Sequence, residues 1–466
     1  MNPFINPLFS FQFLKNYLSD SSRLHRLNRE QIEKFRNKSL KKILKYTCKV
    51  PVYKEKYKKN GINIQEIQTT NDIPKLPLIS KQDFMNNFPK GIAPENYNFK
   101  KGIVVTTGGS SGKPVSIYTD IYSLSRVISL AARQNHIYNY NLRKIRFASI
   151  GTHISGRNDY ILENTLINQT KIFRKPGNYI AINAFEPIKE IINKLNEFKP
   201  DLIYTYPITL QHIAYFKRKG YCDNVNPKIL EVSGYSLDPY TKKYVEDTFK
   251  CKVVNLYQTV ESGGDIALEC LEGTWHVNYD MFYIETINEK FEKVSGEKGH
   301  IVITKLFGRG SPIVRYTGLD DWVTIVDDYK CNCGLRTPIL KNGVEGRISA
   351  RIILPDGRVF PAASFEIISL ILKDLNTFKI IQFQIIQKKI DELEILTVVD
   401  NELRNVGPSL ELINKKIIEA YQEKCGPEVK ISIKEVDEIK SPAGKPLPVV
   451  ISNIKLEEGF KMLEWK

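Results

Sequence analysis

Residues 104–120 read VVTTGGSSGKPVSIYTD: a β-branched run, a cluster of glycines and hydroxyls, then Lys-Pro and a second β-branched run. A plain turn needs one or two glycines, whereas this stretch has Gly108, Gly109 and Gly112 set among Thr106, Thr107, Ser110 and Ser111. Glycines let successive N–H groups converge on an anion, hydroxyls add donors, and Lys113 adds positive charge. Phosphate is the guest this chemistry suits. The loop is not a Walker A motif, G-x-x-x-x-G-K-[ST]. Counting back from Gly112-Lys113, Thr107 stands at the first glycine position, and Pro114 follows the lysine where a hydroxyl belongs. SIYTD then reads as a strand, where a P-loop would open a helix.

The 466 residues suffice for two domains or more, and 42% hydrophobic with 26% charged residues is ordinary for a globular enzyme. The first residues, MNPFINPLFSFQFLKNYL, are apolar but lack a basic start, and prolines and polar residues interrupt them. They read neither as a signal peptide nor as a membrane span. A cytoplasmic protein is expected, with a membrane surface or a pathway enzyme as open contacts of this segment and a homodimer as an open assembly. The net charge of +16 suits an acidic substrate, an anionic membrane or nucleic acid. The lysines are scattered and no nucleic-acid-binding signature is present, so nucleic acid is not an expected partner.

Three zones follow along the chain. Residues 28–60 are strongly charged with helical spacing. From about 101 to 345, apolar strands such as GIVVTT, IRFASI, DLIYTYP, KILEVSG and CKVVNLY alternate with helical stretches such as PIKEIINKLNEF. Such alternation predicts an α/β sheet-layered domain. From about 350 the pattern becomes a compact α+β unit, with RIILPDG, FQIIQ, LEILTVV and VKISIKEV as strands and SFEIISLILKDL and SLELINKKIIEAYQEK as helices.

TTGGSSGKP resembles the phosphate loop of adenylate-forming ligases, the acyl-CoA synthetase superfamily, whose usual form is T-S-G-[ST]-T-G-x-P. Further segments agree in order with the phenylacetate-CoA ligase and CapK-type branch over roughly residues 35–455. They are LKKILKYTCKVPVYKEKY, NDIPKLPLISKQDF, DLIYTYPITLQHIA, NLYQTVESG, GEKGHIVIT, RYTGLDD, VEGRIS and SPAGKP. The resemblance implies a large amino-terminal α/β domain (1–346), a hinge at 347–349 and a small mobile α+β carboxy-terminal domain (347–466). It implies adenylation of a carboxylate by ATP, then acyl transfer to CoA or to an amine acceptor, the latter in capsular polysaccharide pathways. A non-catalytic scaffold that kept the fold is the alternative.

The same resemblance distributes roles. Residues 106 to 113 wrap the β- and γ-phosphates, Glu261 helps hold Mg²⁺, and Tyr257 packs on adenine with Gln258 beside it. Ser233, Gly234 and Tyr235 form the other wall, Arg347 touches ribose, and Lys445 bridges the attacking carboxylate and the α-phosphate. Two motifs depart from the family. Gln258 and Val260 replace the glycine and threonine of Y-G-x-T-E, so the α-phosphate lacks a hydroxyl unless Thr259 replaces it. Leu319 interrupts the T-G-D run; counted from Arg315-Tyr316, Asp320 takes the position of the ribose aspartate.

Seven cysteines without a signal peptide argue against a disulfide framework. Cys331 and Cys333 form a C-x-C turn, and Cys270 and His276, in ECLEGTWHV, complete a Cys₃His set that suits structural zinc. Similar members of the branch carry the same arrangement. Such a metal would tie the loop at 331 to the strand near 276 and take no part in ligation.

Overall fold

The computed structural model describes residues 3–100, 102–107, 115–141, 144–153, 160–161, 165, 177–234, 237, 239–288, 290–319, 321–345, 351–356, 359–361, 367–375, 377, 379–439 and 449–454. The chain opens with helices α1 (Pro7–Arg26), α2 (Arg29–Thr47), α3 (Pro51–Lys59) and α4 (Lys81–Asn87). Asn6 accepts from the backbone N–H groups of Leu8 and Phe9, and Pro7 fills the first helical position. Both satisfy the unpaired start of a helix. Asn28 and Gln31 form a capping box on α2. A hairpin of β1 (Ile103–Thr106) and β2 (Ser116–Thr119) follows, then α5 (Ile121–Ala131) and α6 (Gln134–Ile137).

The alternation expected from sequence is then met. Strands β3 (Phe147–Gly151), β4 (Tyr179–Asn183), β5 (Leu202–Thr205), β6 (Ile229–Ser233) and β7 (Lys252–Thr259) pair in parallel. Between them run α7 (Ile188–Phe198), α8 (Pro207–Arg218) and α9 (Pro239–Phe249). Helices cover parallel strands, which is why β5, β6 and β7 read as near-continuous apolar runs.

The alternation does not extend to 345. Between β7 and residue 345 the described residues hold strands and no helix: β8 (Gly264–Glu269), β9 (Trp275–Val277), β10 (Phe282–Ile287), β11 (Lys293–Val294), β12 (Lys298–Lys305), β13 (Trp322–Val326) and β14 (Ile339–Leu340). Gly263 and Gly264, at φ +58° and +153°, turn β7 back on itself, so β8 pairs antiparallel and needs no crossover helix. The result is a twelve-stranded sheet, ordered β11-β10-β12-β13-β14-β9-β8-β7-β6-β5-β3-β4.

A separate unit follows. It holds the pair β15 (Arg351–Ile353) and β16 (Val359–Pro361), helices α10 (Ile367–Asp374) and α11 (Leu410–Cys425), and a four-stranded sheet. That sheet comprises β17 (Ile380–Lys389), β18 (Glu392–Val399), β19 (Lys430–Glu435) and β20 (Val450–Ser452). Its core, including Ile352, Ile368, Leu393 and Ile417, is its own, as expected for a small α+β domain. Lys219 of the large unit pairs with Asp400 at 3.3 Å and Glu402 at 2.7 Å. Among the described residues no helix is long and apolar enough to cross a membrane.

Helix α1, which the sequence pattern did not reveal, is fastened from within by charge. Asp280, just before β10, receives Arg23 at 2.6 Å and Arg133 at 2.5 Å. Asp20 pairs with Arg23 and, at 2.8 Å, with Arg126, while Arg133 Nε donates to the Asp20 carbonyl at 2.8 Å. Asp20, Arg23, Arg133 and Asp280 are all buried.

Candidate active site

The phosphate-loop stretch hangs from the β1–β2 hairpin, whose neck is closely bonded. Thr106 Oγ1 lies 2.9 Å from Ser116 Oγ. Thr107 N–H donates to the Val115 carbonyl at 2.9 Å, and Thr107 Oγ1 accepts from Val115 N–H at 2.9 Å. Two antiparallel strands clamped this way bring both ends of a loop to one point. Gly108, Gly109, Ser110, Ser111, Gly112 and Lys113 lie outside the described residues. So do Tyr235, Asp320, Arg347 and Lys445.

The carboxyl ends of parallel strands, where open α/β sheets bind ligands, gather the other residues singled out from sequence. Ser233 ends β6 with its hydroxyl 2.5 Å from the Tyr204 hydroxyl. Gly234 follows at φ +98°, and a Cβ there would stand 3.3 Å from the Tyr206 ring, so chain direction and close packing both call for glycine. Tyr257 lies in β7, buried in the main core, and donates its hydroxyl to Asp321 Oδ2 at 2.8 Å. A register irregularity between Tyr257 and Gln258 follows, and Gln258 stands opposite Asp265 of β8.

Glu261 sits in the β7–β8 turn, buried, and its Oε1 accepts from the Tyr316 hydroxyl at 3.4 Å. Thr259 Oγ1 accepts from Ser262 N–H at 3.0 Å, which ties this hydroxyl oxygen into the same turn. Lys305, at the end of β12, donates to the Glu261 carbonyl at 3.5 Å. Burial pulls its ammonium down to about 8, against the opposing carboxylates of Asp120 and Glu261. Sequence reasoning did not find Lys305 or Tyr316. The signal available was a lysine closing an otherwise apolar strand, IVITK.

A second polar cluster lies between α6 and the sheet. The Tyr140 hydroxyl is 3.1 Å from both Glu231 Oε1 and Gln134 Oε1. Burial pushes the Glu231 carboxyl from its ordinary 4.5 up to about 8, and Asp265 from 3.8 up to about 7. A carboxyl protonated in the fold and ionised when unfolded loses a proton on unfolding, so its contribution to stability falls as pH rises between the two values. Glu231→Gln, which keeps the shape and removes the titration, therefore matches the parent near pH 4.5 and is more stable at pH 8. Thermal melts across this range check it; parallel curves for parent and variant exclude a neutral Glu231.

The four residues of the cysteine–histidine set come together. Cys270, His276, Cys331 and Cys333 place one ligand atom each, all within 4.8 Å of one another. Cys270 Sγ and Cys331 Sγ are 3.7 Å apart, and Cys333 Sγ is 3.2 Å from His276 Nε2. Two sulfurs bound to one tetrahedral zinc at about 2.3 Å stand about 3.8 Å apart; a disulfide requires about 2.05 Å. His276 Nδ1 lies 3.1 Å from Thr337 Oγ1, an outer contact that aims Nε2 at the sulfurs. The donor set fits structural zinc.

Comparison with known proteins places this architecture. Across 92% of the chain it superimposes on 90% of a 2-hydroxyisobutyryl-CoA ligase in its postadenylation state, with a TM-score of 0.75 and 18% identity. The fold is that of the adenylate-forming ligases. In sequence the chain is 24% identical over 456 residues to Protein CapK of Staphylococcus aureus, covering 95% of this chain and 94% of that one. It is 23% identical over 318 residues to the phenylacetate-coenzyme A ligase of Escherichia coli (strain K12), covering 62% and 67% respectively. Residues 363–453 match the CapK C-terminal domain. In sequence the chain is similar to the branch that holds CapK and the phenylacetate-CoA ligases, and in fold to an acyl-CoA ligase of the adenylate-forming type.

Proposed function

We propose that the protein joins a small-molecule carboxylate to AMP at the expense of ATP, then passes the acyl group to the thiol of CoA. In the first step a carboxylate oxygen attacks the α-phosphorus and the bond to pyrophosphate breaks. In the second, the acceptor attacks the acyl carbon and AMP leaves. What supports this reading is the fold shared with an acyl-CoA ligase, together with the Ser233-Gly234 end of β6 and the Glu261 turn after β7, which follow neighbouring parallel strands.

Both reactants of the first step are anionic, so cations and N–H donors must offset their repulsion. Gly108 to Lys113 take the β- and γ-phosphates, and Lys305 adds positive charge beneath the Glu261 turn. Glu261 holds Mg²⁺, which when bound draws charge from phosphate oxygens. Tyr257, Gln258 and Ser233 to Tyr235 flank adenine, Asp320 and Arg347 take ribose, and Lys445 bridges carboxylate and α-phosphate. Rotation about 347–349 then withdraws Lys445 and admits the acceptor. The cysteine–histidine set holds zinc as a structural brace.

An amine acceptor is the second reading. It is supported by Protein CapK being a relative that matches 95% of the chain, and by the CapK C-terminal match falling in the carboxy-terminal unit. ATP–pyrophosphate exchange with aryl, fatty and amino-acid carboxylates tests the function. One class should raise exchange at least about tenfold, a difference of about 1.4 kcal/mol in barrier. Exchange at background with every class supports a non-catalytic scaffold. CoA thiol consumption against amide formation then separates the two acceptors.

A further inference from the structure

Helix α1 carries apolar residues on its outer face as well as on its inner one. Its inner face buries Asn16, Asp20, Ser21 and Arg23 beside Phe9, Phe13 and Leu24. Its outer face presents Leu8, Phe11, Leu14 and Leu18, with Ile5 in the turn before it, each 51–79% exposed. Steps of three and four residues align these side chains along one side. Scattered exposed apolar residues are ordinary, but a continuous stripe of this size marks an interaction surface.

Charge selects the occupant. Asp20 is the only acidic residue between positions 3 and 28, and it is buried, whereas Lys15 and Arg26 are exposed. The whole chain carries +16. A second copy would bring the same positive charge to the contact, while an anionic lipid surface complements it. We propose that α1 lies in the plane of an anionic bilayer, its apolar stripe in the boundary between headgroups and acyl chains and its cations on lipid phosphates. A helix of 20 residues, about 30 Å long, is suited to lying along such a surface. The ion pairs of Asp20 and Arg23 keep α1 packed on the enzyme, so the stripe is offered by the folded protein without rearrangement.

Co-sedimentation of the full chain with phosphatidylglycerol–phosphatidylcholine vesicles tests this. Binding should fall several-fold on pure phosphatidylcholine or in about 0.5 M salt, where charge is screened within a few ångströms. Leu8→Ser with Phe11→Ser should lower partitioning at least about tenfold with an unchanged melting temperature, because both side chains are exposed. Lys15→Glu should weaken binding to the anionic vesicles only. Failure to bind phosphatidylglycerol vesicles, or equal binding by the double variant, overturns the proposal. So does a dimer in solution that the double variant dissociates, which assigns the stripe to a second copy.

Discussion

Glu261→Gln lowers ATP–pyrophosphate exchange by about 10²–10³-fold, the scale of one preorganised group acting on developing charge. The substitution preserves size, and the amide oxygen still accepts from Tyr316. What disappears is the negative charge, which a hard divalent ion requires and a neutral amide supplies poorly. Glu261 is also one of two carboxylates that oppose the downward pull of burial on Lys305. The variant should therefore stay folded and fail at adenylation, with the deficit reduced only partly by raising Mg²⁺. Exchange within threefold of the parent removes Glu261 from the phosphate site.

Cys331→Ser with Cys333→Ser should release the proposed zinc, about one per chain, and lower the melting temperature by about 5–10 °C, because a ligand held only by the native state stabilises it by mass action. The loss is local in origin. Cys270 ends the β8 side of a turn closed by Gly273 N–H on its carbonyl, and Ile339 of β14 pairs with His276 of β9. Removing two sulfurs frees the loop at 331 from β9, which it meets through Thr274 and His276. Cys48→Ser, remote from the cluster, should leave metal and melting unchanged. Elemental analysis of protein purified without chelators reads the result directly, and a metal-free parent ends the assignment.

Much of this architecture is readable from residue order. The parallel strands are apolar on both faces, and their runs stand out wherever helices cover them. The antiparallel half is harder to recognise, since its hairpin strands differ from the parallel ones in partner rather than in composition. Helix α1 escapes for a clear reason: periodicity looks for one apolar face, and here apolar residues line the outer face as well as the inner one. Of the candidate site residues, Thr106, Thr107, Ser233, Gly234 and Glu261 fall in local motifs whose backbone and charge requirements single them out. Lys305, Tyr316, Glu231 and Tyr140 are not, because each acquires its partner from a distant segment. The cysteine–histidine set lies between these cases: C-x-C is visible locally, its union with Cys270 and His276 is expected from ligand types and the family resemblance, and the fold brings the four together.

The buried pairs of Asp20, Arg23, Arg133 and Asp280 have a practical corollary. Dissolved ions reach exposed charges and weaken them, but screen enclosed pairs far less. One helix thus contains two kinds of electrostatics, an outer kind that a brine wash abolishes and an inner kind that survives it. Enzyme recovered from lipid by such a wash should come away with α1 still seated, and should rebind when the brine is diluted. The helix would then serve as a reversible tether.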